Sequence, residues 1–383
     1  MTSKFRLILF LVFTVLTACV EEYWPEIEKY DNLLVVDGIM TNARGAIIVK
    51  LSRSASLDQS VFIPETEASL SITDNIGNQI TLQEKDPGIY LSDSTTQPMA
   101  GRSYQLNIQL ANGESYESET ELLQEPIKIS QVTWEEELKP GHELLHDIEG
   151  YQFYIDSKEA IKDSSFLMWS LLETYKYKSD FKIQIYYDGE IKPFPRPDSL
   201  QTCWKTERVS QLFTGRTDGL NQPVIRHFPL HYVDTETRKL YIRYSLLVNQ
   251  YTLTESAWNF WEQVKIQSEE QGGLYQTQPY RIVGNIKNIN DPDEAVLGQF
   301  TVAGTDTMRV FVPRAPLNYY YEKCILSEAD IENFSAITEF PPESWPIYAT
   351  TSPEGAAALP LQECLDCRLK GGTIQEPVFW TNY

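Results

Sequence analysis

The sequence predicts a mainly β protein in two parts. An Ig-like or transthyretin-like sandwich is expected over residues 31–124, and a larger β-rich domain with one prominent helix near residues 253–271 is expected over residues 125–383. In the first part, short runs of β-prone residues recur at close spacing with turn-forming residues between them. From about Glu125 the runs become longer and richer in aromatic residues, which indicates a second unit with larger strands.

The strands of the first part are predicted from alternation and from turn pairs. Every second residue of Tyr104–Leu110 is apolar, so this segment is expected to bury one face in a sandwich core. Leu33–Val36 is β-prone and is followed by Asp37-Gly38, a pair typical of turns. The first strand is therefore expected to end at that pair.

The helix of the second part is predicted from residue spacing. Thr252 and Glu255 are three residues apart, as in a capping box, and Gly272-Gly273 is expected to end the helix. The apolar side chains that share one helical face, which we assign to the core, are Leu253, Ala257, Phe260, Trp261 and Val264.

The N-terminus has the features of a bacterial lipoprotein signal. A short basic start precedes an almost unbroken apolar run that is too short to span a membrane. The run ends in Leu16-Thr17-Ala18-Cys19, where an aliphatic residue and two small residues precede a cysteine, as in the bacterial lipobox. We expect residues 1–18 to be removed as a signal peptide, Cys19 to carry the lipid, and residues 19–30 to form a tether.

Charge and cysteine content fit an exported protein. The chain has 32 basic and 54 acidic residues, a net charge of −22, which argues against nucleic acid as a partner. Four cysteines remain after the signal, and an even number in an oxidising compartment predicts two disulfides with three possible connectivities. The closely spaced pair is also compatible with half of a zinc site. The four cysteines are Cys203, Cys324, Cys364 and Cys367.

One motif points to chemistry. His142-Glu143-Leu144-Leu145-His146 matches the signature in which two histidines on one helical face bind zinc and the glutamate activates a water. Pro140-Gly141 before the motif and Gly150 after it leave room for only two or three helical turns, so we interpret the segment as a surface turn. Glu159 and Glu173 are candidates for a third ligand by distance along the chain.

A second histidine pair has the same spacing. His227 and His231 are four residues apart, with Pro229 between them to exclude a helix. On a strand this even spacing would place both side chains on one face, where a metal pair is conceivable. We favour two histidines that are either satisfied or solvent-facing.

A set of short motifs, in this order, resembles the Bacteroidota lipoproteins grouped as domain of unknown function 4249. The motifs of the first part are Leu34-Val35-Val36-Asp37-Gly38 and Pro98-Met99-Ala100-Gly101-Arg102-Ser103-Tyr104-Gln105-Leu106. Those of the second part are Cys203-Trp204, Phe260-Trp261, Gly284-Asn285-Ile286, Val296-Leu297-Gly298-Gln299-Phe300, Cys364-Leu365-Asp366-Cys367-Arg368, Gly371-Gly372-Thr373 and Pro377-Val378-Phe379-Trp380.

This resemblance implies an outer-membrane lipoprotein, often encoded beside a TonB-dependent receptor, and it supplies no catalytic residues. We therefore expect a non-enzymatic accessory of such a receptor, without a cofactor, that acts in ligand capture or gating. The alternatives are a zinc-dependent hydrolase built on His142, Glu143 and His146, and a structural or adhesive envelope spacer.

Overall fold

The computed structural model describes residues 32–54, 62–140, 147–159, 165–270 and 282–380. The chain is mainly β, as the sequence predicts. The strands of the first part are β1 Leu34–Thr41, β2 Ile48–Arg53, β3 Ile63–Pro64, β4 Ser69–Asp74, β5 Gln79–Asp86, β6 Ile89–Leu91, β7 Ser103–Gln109, β8 Ser115–Ser118 and β9 Glu121–Leu122.

The second part has longer strands and a long helix. Up to that helix the strands are β10 Ile129–Lys139, β11 Ile148–Ser157, β12 Phe166–Lys178, β13 Ile185–Tyr187, β14 Ile191–Pro193, β15 Thr202–Arg208, β16 Phe213–Arg216, β17 Phe228–Asp234 and β18 Arg243–Leu253. From the helix onward the elements are α1 Glu255–Glu270, β19 Ile286–Asn288, β20 Leu297–Pro313, α2 Glu328–Glu332, β21 Ile347–Thr351 and β22 Ala357–Ala358. Single 3₁₀ turns at Asn333–Glu339, Pro342–Ser344, Gln362–Cys364 and Cys367–Lys370 complete the C-terminal segment.

The alternation expected in β7 is confirmed. Tyr104, Leu106 and Ile108 are buried, and the residues between them are only partly so. Together with Leu70 and Ile72 of the adjacent β4, they form one wall of the first core. Each alternating strand removes one row of apolar side chains from water, which is the main source of stability for a sandwich.

The turn expected at Asp37-Gly38 is wrong, because β1 continues through that pair to Thr41. A Cβ atom at Gly38 would lie 3.0 Å from Val49 Cγ2 and 3.1 Å from the Phe300 ring. The glycine is therefore needed for close packing between β1 and its neighbours, and the pair does not form a turn.

Strand β20 connects the two parts of the molecule. Its first half pairs in parallel with β1, from Val35↔Leu297 to Thr41↔Ala303, and its second half pairs antiparallel with β18. Phe300 thus lies in the core of the first part, whereas Val312 lies in the core of the second. The domain division expected at residue 124 stays a prediction, although the strand pairing crosses it.

The core of the second part lies between two sheets. Strands β12 and β18 pack against the three-stranded sheet β10-β11-β17. Trp169 of β12 tilts against Phe228 of β17 with ring centroids 4.6 Å apart, and Phe153 of β11 packs on Tyr244 of β18 at 5.6 Å. These large buried rings explain why the strands of this region are rich in aromatic residues.

Helix α1 covers the opposite face of the β12-β18-β20 sheet. Leu253, Ala257 and Trp261 pack into a small apolar cluster there, which confirms their assignment to the core. The expected capping box is wrong: Thr252 still belongs to β18, and the hydroxyl oxygen of Thr254 accepts the Ala257 N–H at 3.2 Å. No helix in the described ranges is both long and apolar enough to cross a bilayer.

Two disulfides hold the C-terminal segment. Cys203 bonds to Cys367 and Cys324 bonds to Cys364, so each member of the closely spaced pair has its own distant partner. The disulfides that the sequence predicts are confirmed, and the alternative half zinc site is excluded for these four residues. The small sheet β14-β13-β21-β22 is formed by two segments far apart in the chain.

Candidate functional site

A cavity of about 530 Å³ lies where the first part of the molecule meets the second, at the start of helix α1. We call it the junction cavity. Its size falls within the roughly 300–1,000 Å³ of small-molecule sites. The residues that line it are Gly101, Leu122, Leu123, Gln124, Glu125, Pro126, Ile127, Lys128, Lys158, Glu159, Ser165, Phe166, Thr252, Leu253, Thr254 and Glu255.

One wall of the junction cavity is the connector, residues 123–128, between β9 and β10. The Ile127 N–H donates to Thr252 Oγ1 at 3.0 Å, and the side-chain amide of Gln250 donates to the Ile127 carbonyl at 2.6 Å. Gly304 of β20 packs against the connector, since a Cβ atom at this position would be 2.3 Å from the Gln124 carbonyl oxygen. The connector is thus fixed from both sides, and this wall is preformed.

A buried carboxylate joins this wall to the helix. Glu121, only 4% exposed, accepts a hydrogen bond of 2.7 Å from the hydroxyl of Thr254, which also caps α1. Burial raises the pKa of Glu121, and its hydrogen bonds with Thr254 and Asn285 offset only part of that effect. The capping hydroxyl therefore links β9, the helix and the mouth of the cavity.

The rim of the junction cavity carries charge of both signs. Lys128 is paired with Asp306 of β20 at 2.9 Å, so its charge is already balanced. Lys158 is exposed. Three carboxylates complete the rim, and none of them has an ion-pair partner among the described residues: Glu125, Glu159 and Glu255.

A second polar site lies deep between the two sheets of the second part. Glu173 of β12 is 3% exposed, and its carboxylate pairs with Lys239 Nζ at 2.5 Å and accepts the Tyr244 hydroxyl at 3.0 Å. Burial alone would raise the pKa of Glu173, but His231 and Lys239 beside it lower that pKa overall. His231 Nε2 lies 3.7 Å from the carboxylate, too far for a hydrogen bond, so Lys239 is the direct partner.

The two histidines with strand spacing do not form a pair. His227 stacks on Tyr154 with centroids 3.8 Å apart, and its side chain is 56% exposed. His231 is partly buried beside Glu173, and its buried Nε2 has no hydrogen-bond partner among the described residues. The strand spacing considered for the two histidines does not apply, because His227 lies before the first residue of β17 and a register shift between β11 and β17 adds one residue between them.

Several sequence-predicted site residues fall outside the described residues. These are Cys19, which was expected to carry the lipid, and His142, Glu143 and His146 of the zinc-type motif. The residues on either side of that motif, Lys139 and Ile148, are cross-strand partners. Within the described ranges no group of three or more His, Cys, Asp or Glu side chains is placed to hold a metal ion.

Glu173, considered as a third zinc ligand by its distance along the chain, lies in β12 with Lys239 and Tyr244 as its partners. Glu159 lies on the cavity rim. Sequence reasoning missed Glu121 and Thr254, because neither belongs to a recognisable motif and they are 133 residues apart. An acidic residue at a buried position of a strand is the only local signal that could have identified Glu121.

The profile of the family described as "Domain of unknown function (DUF4249)" matches residues 20–309. The chain belongs to the DUF4249 family. The matched region contains the whole junction cavity, whereas each disulfide joins at least one cysteine beyond residue 309.

The DUF4249 motifs fall where chain segments approach closely. Gly298 has a φ of +82°, and a Cβ atom there would lie 2.0 Å from the Val36 carbonyl oxygen, so only glycine fits. The Asn285 side chain accepts the Phe300 N–H at 3.0 Å and donates to the Phe300 carbonyl at 2.9 Å, as a neighbouring strand would. These motifs therefore stabilise the first part of the fold.

Likeness to one solved structure is low. The crystal structure of a DUF4785 family protein from Legionella pneumophila matches at 10% identity with a TM-score of 0.18, over 57% of this chain and 52% of that one. The chain thus spans about half the length of that protein. No curated protein matches the chain.

Proposed function

We propose that this DUF4249 protein is a lipid-anchored outer-membrane protein that serves, without catalysis, as an accessory of a TonB-dependent receptor. In this proposal it captures a small ligand in the junction cavity and delivers it to the receptor. The observation that carries the proposal is the cavity itself: it has the size of a small-molecule site, and one of its walls, the connector, is fixed by hydrogen bonds with β18.

Two further features support the cellular location. The motif ending in Cys19 fits the substrate pattern of lipoprotein processing. The disulfides Cys203–Cys367 and Cys324–Cys364 are typical of proteins that fold in an oxidising compartment. The receptor as partner rests on the resemblance to lipoproteins encoded beside such receptors.

The proposal is tested by gentle detergent extraction of membranes and affinity purification on a C-terminal tag, followed by mass spectrometry. We expect a TonB-dependent barrel in stoichiometric amount. A Cys19→Ser variant is the control, and we expect it to leave the membrane fraction and to lose the barrel. Recovery of the chain alone, from an extract in which other membrane complexes stay intact, would contradict the proposal.

A further inference from the structure

We infer that the ligand of the junction cavity is a small molecule with an apolar body and a positively charged amine. This inference rests on the proposed capture of ligand in that cavity and adds the chemical class of the ligand. It combines the apolar character of the floor with the charge balance of the rim.

The floor of the cavity is apolar. It is formed by Leu122, Pro126, Ile127, Phe166 and Leu253, from both parts of the chain. Leu122 is only partly buried and belongs to none of the apolar clusters of the core, so its side chain is available to a ligand. An apolar body placed here is removed from water at little cost, because the walls are already in place.

The rim favours a cation. Glu125, Glu159 and Glu255 lie there without ion-pair partners in the described part of the chain, and the charge of Lys128 is balanced by Asp306. Among the described lining residues, Lys158 is the one unbalanced cation that opposes the three carboxylates. The net charge of −22 for the whole chain acts in the same direction.

The size of the effect follows from the exposure of the rim. A pair of charges near a protein surface, screened by water and salt, changes binding by about five- to tenfold. The preference for an amine over a carboxylate should therefore be moderate at low salt, and it should shrink as salt is added.

The experiment compares three water-soluble probes with one skeleton: phenylbutylamine, phenylbutanol and phenylbutyrate. The protein is the chain from Val20 onward, secreted without lipid, which keeps every described residue. Dissociation constants are measured by ligand-observed NMR titration at low and high salt. We expect the amine to bind at least about fivefold more tightly than the carboxylate, with the alcohol between them.

Two variants locate the effect. Leu122→Trp should fill the floor and weaken all three probes by about tenfold or more, whereas Leu138→Trp, at a surface position 58% exposed, should change nothing. The double variant Glu125→Gln with Glu159→Gln should remove most of the preference for the amine, and Glu354→Gln, far along the chain, should keep it.

The outcomes separate this inference from the proposed function. If the three probes bind equally and Leu122→Trp still weakens them, the inference of a cationic ligand is wrong. The proposal that the cavity captures a ligand would then still hold. Tighter binding of the carboxylate would overturn it as well. Failure of every probe to bind would overturn capture at this cavity, whereas the barrel partner is tested separately by co-purification.

Discussion

Two almost fully buried glutamates, one in each part of the molecule, have opposite electrostatic environments. Glu173 faces Lys239 at 2.5 Å, and its pKa is lowered. Among the described residues, the partners of Glu121 are the hydroxyl of Thr254 and the amide of Asn285, and its pKa is raised by burial. Burial penalises both carboxylates, and the difference shows that the charge of the partner decides the direction of the shift.

Glu173 and Glu121 also have different structural roles. Glu173 belongs to an interior network with a cation, in which its partners are Lys239 just before β18 and Tyr244 on β18, the strand that pairs with β12. Glu121 belongs to the junction, where its partner Thr254 also lines the cavity. The network of Glu121, whose partners carry no charge, is therefore the one nearest to the proposed ligand.

The largest expected effect comes from removing the cation. Lys239→Met leaves the Glu173 carboxylate buried with the Tyr244 hydroxyl as its remaining hydrogen-bond donor among the described residues and His231 3.7 Å away. We expect it to lower the free energy of unfolding by about 3 kcal/mol. This is the lower end of the usual range, because the Lys239 side chain is 23% exposed. Urea unfolding followed by tryptophan fluorescence measures it.

Lys239→Arg is the matched control, because it keeps the charge. We expect it to lose much less stability than Lys239→Met. If Lys239→Met lowers the free energy of unfolding by less than about 1 kcal/mol, the ion pair does not hold Glu173 as described.

The second expected effect is a pH dependence of opposite sign at the two glutamates. The pKa of Glu173 is lowered in the folded state, so its stabilisation is present above the ordinary value of 4.5 and is lost as pH falls through the folded pKa. The pKa of Glu121 is raised, so its contribution is full below 4.5 and is lost as pH rises through the folded pKa.

Glu173→Gln and Glu121→Gln should reveal these signs in melting temperatures measured from pH 3 to pH 8. Relative to the wild type, Glu121→Gln should become more stable as pH rises, and Glu173→Gln should become less stable. We expect the two differences in melting temperature to run in opposite directions as pH rises. Curves that run in parallel for both variants would show that neither carboxylate titrates as its surroundings require.

The smallest expected effect is at the capping hydroxyl. Thr254→Val removes the hydrogen bond to Glu121 and the cap of α1, and we expect a loss of about 1 kcal/mol in thermal unfolding. Thr254→Ser keeps the hydroxyl and should retain most of the stability. A larger loss in Thr254→Ser than in Thr254→Val would assign the effect to the methyl group instead.

The elements that follow local patterns could be predicted from the sequence. The alternation in β7 depends on neighbouring residues only and is confirmed. On the expected face of α1, Leu253, Ala257 and Trp261 pack as predicted, whereas Phe260 and Val264 are only partly buried and lie outside that cluster. The presence of disulfides follows from cysteine number and compartment, but their connectivity depends on how the chain folds. The family was recognisable from short motifs. Several of these motifs contain a glycine where two chain segments approach closely, such as Gly298.

The site could not be predicted, because it depends on residues far apart in the sequence. Thr254 and Glu121 are 133 residues apart, and Lys239 and Glu173 are 66 apart. The parallel pairing of β1 with β20 brings the two parts together, and no local periodicity reports such a long crossover. The same pairing explains the error at Gly38, whose glycine serves close strand packing.

The central claim is that the junction cavity captures a small ligand. The most direct test is native mass spectrometry of the tagged chain purified gently from its own membranes. We predict a co-purifying small molecule with a net positive charge that is present in the wild type and in Leu138→Trp and is lost in Leu122→Trp. The same small-molecule content in Leu122→Trp as in the wild type would contradict capture in this cavity.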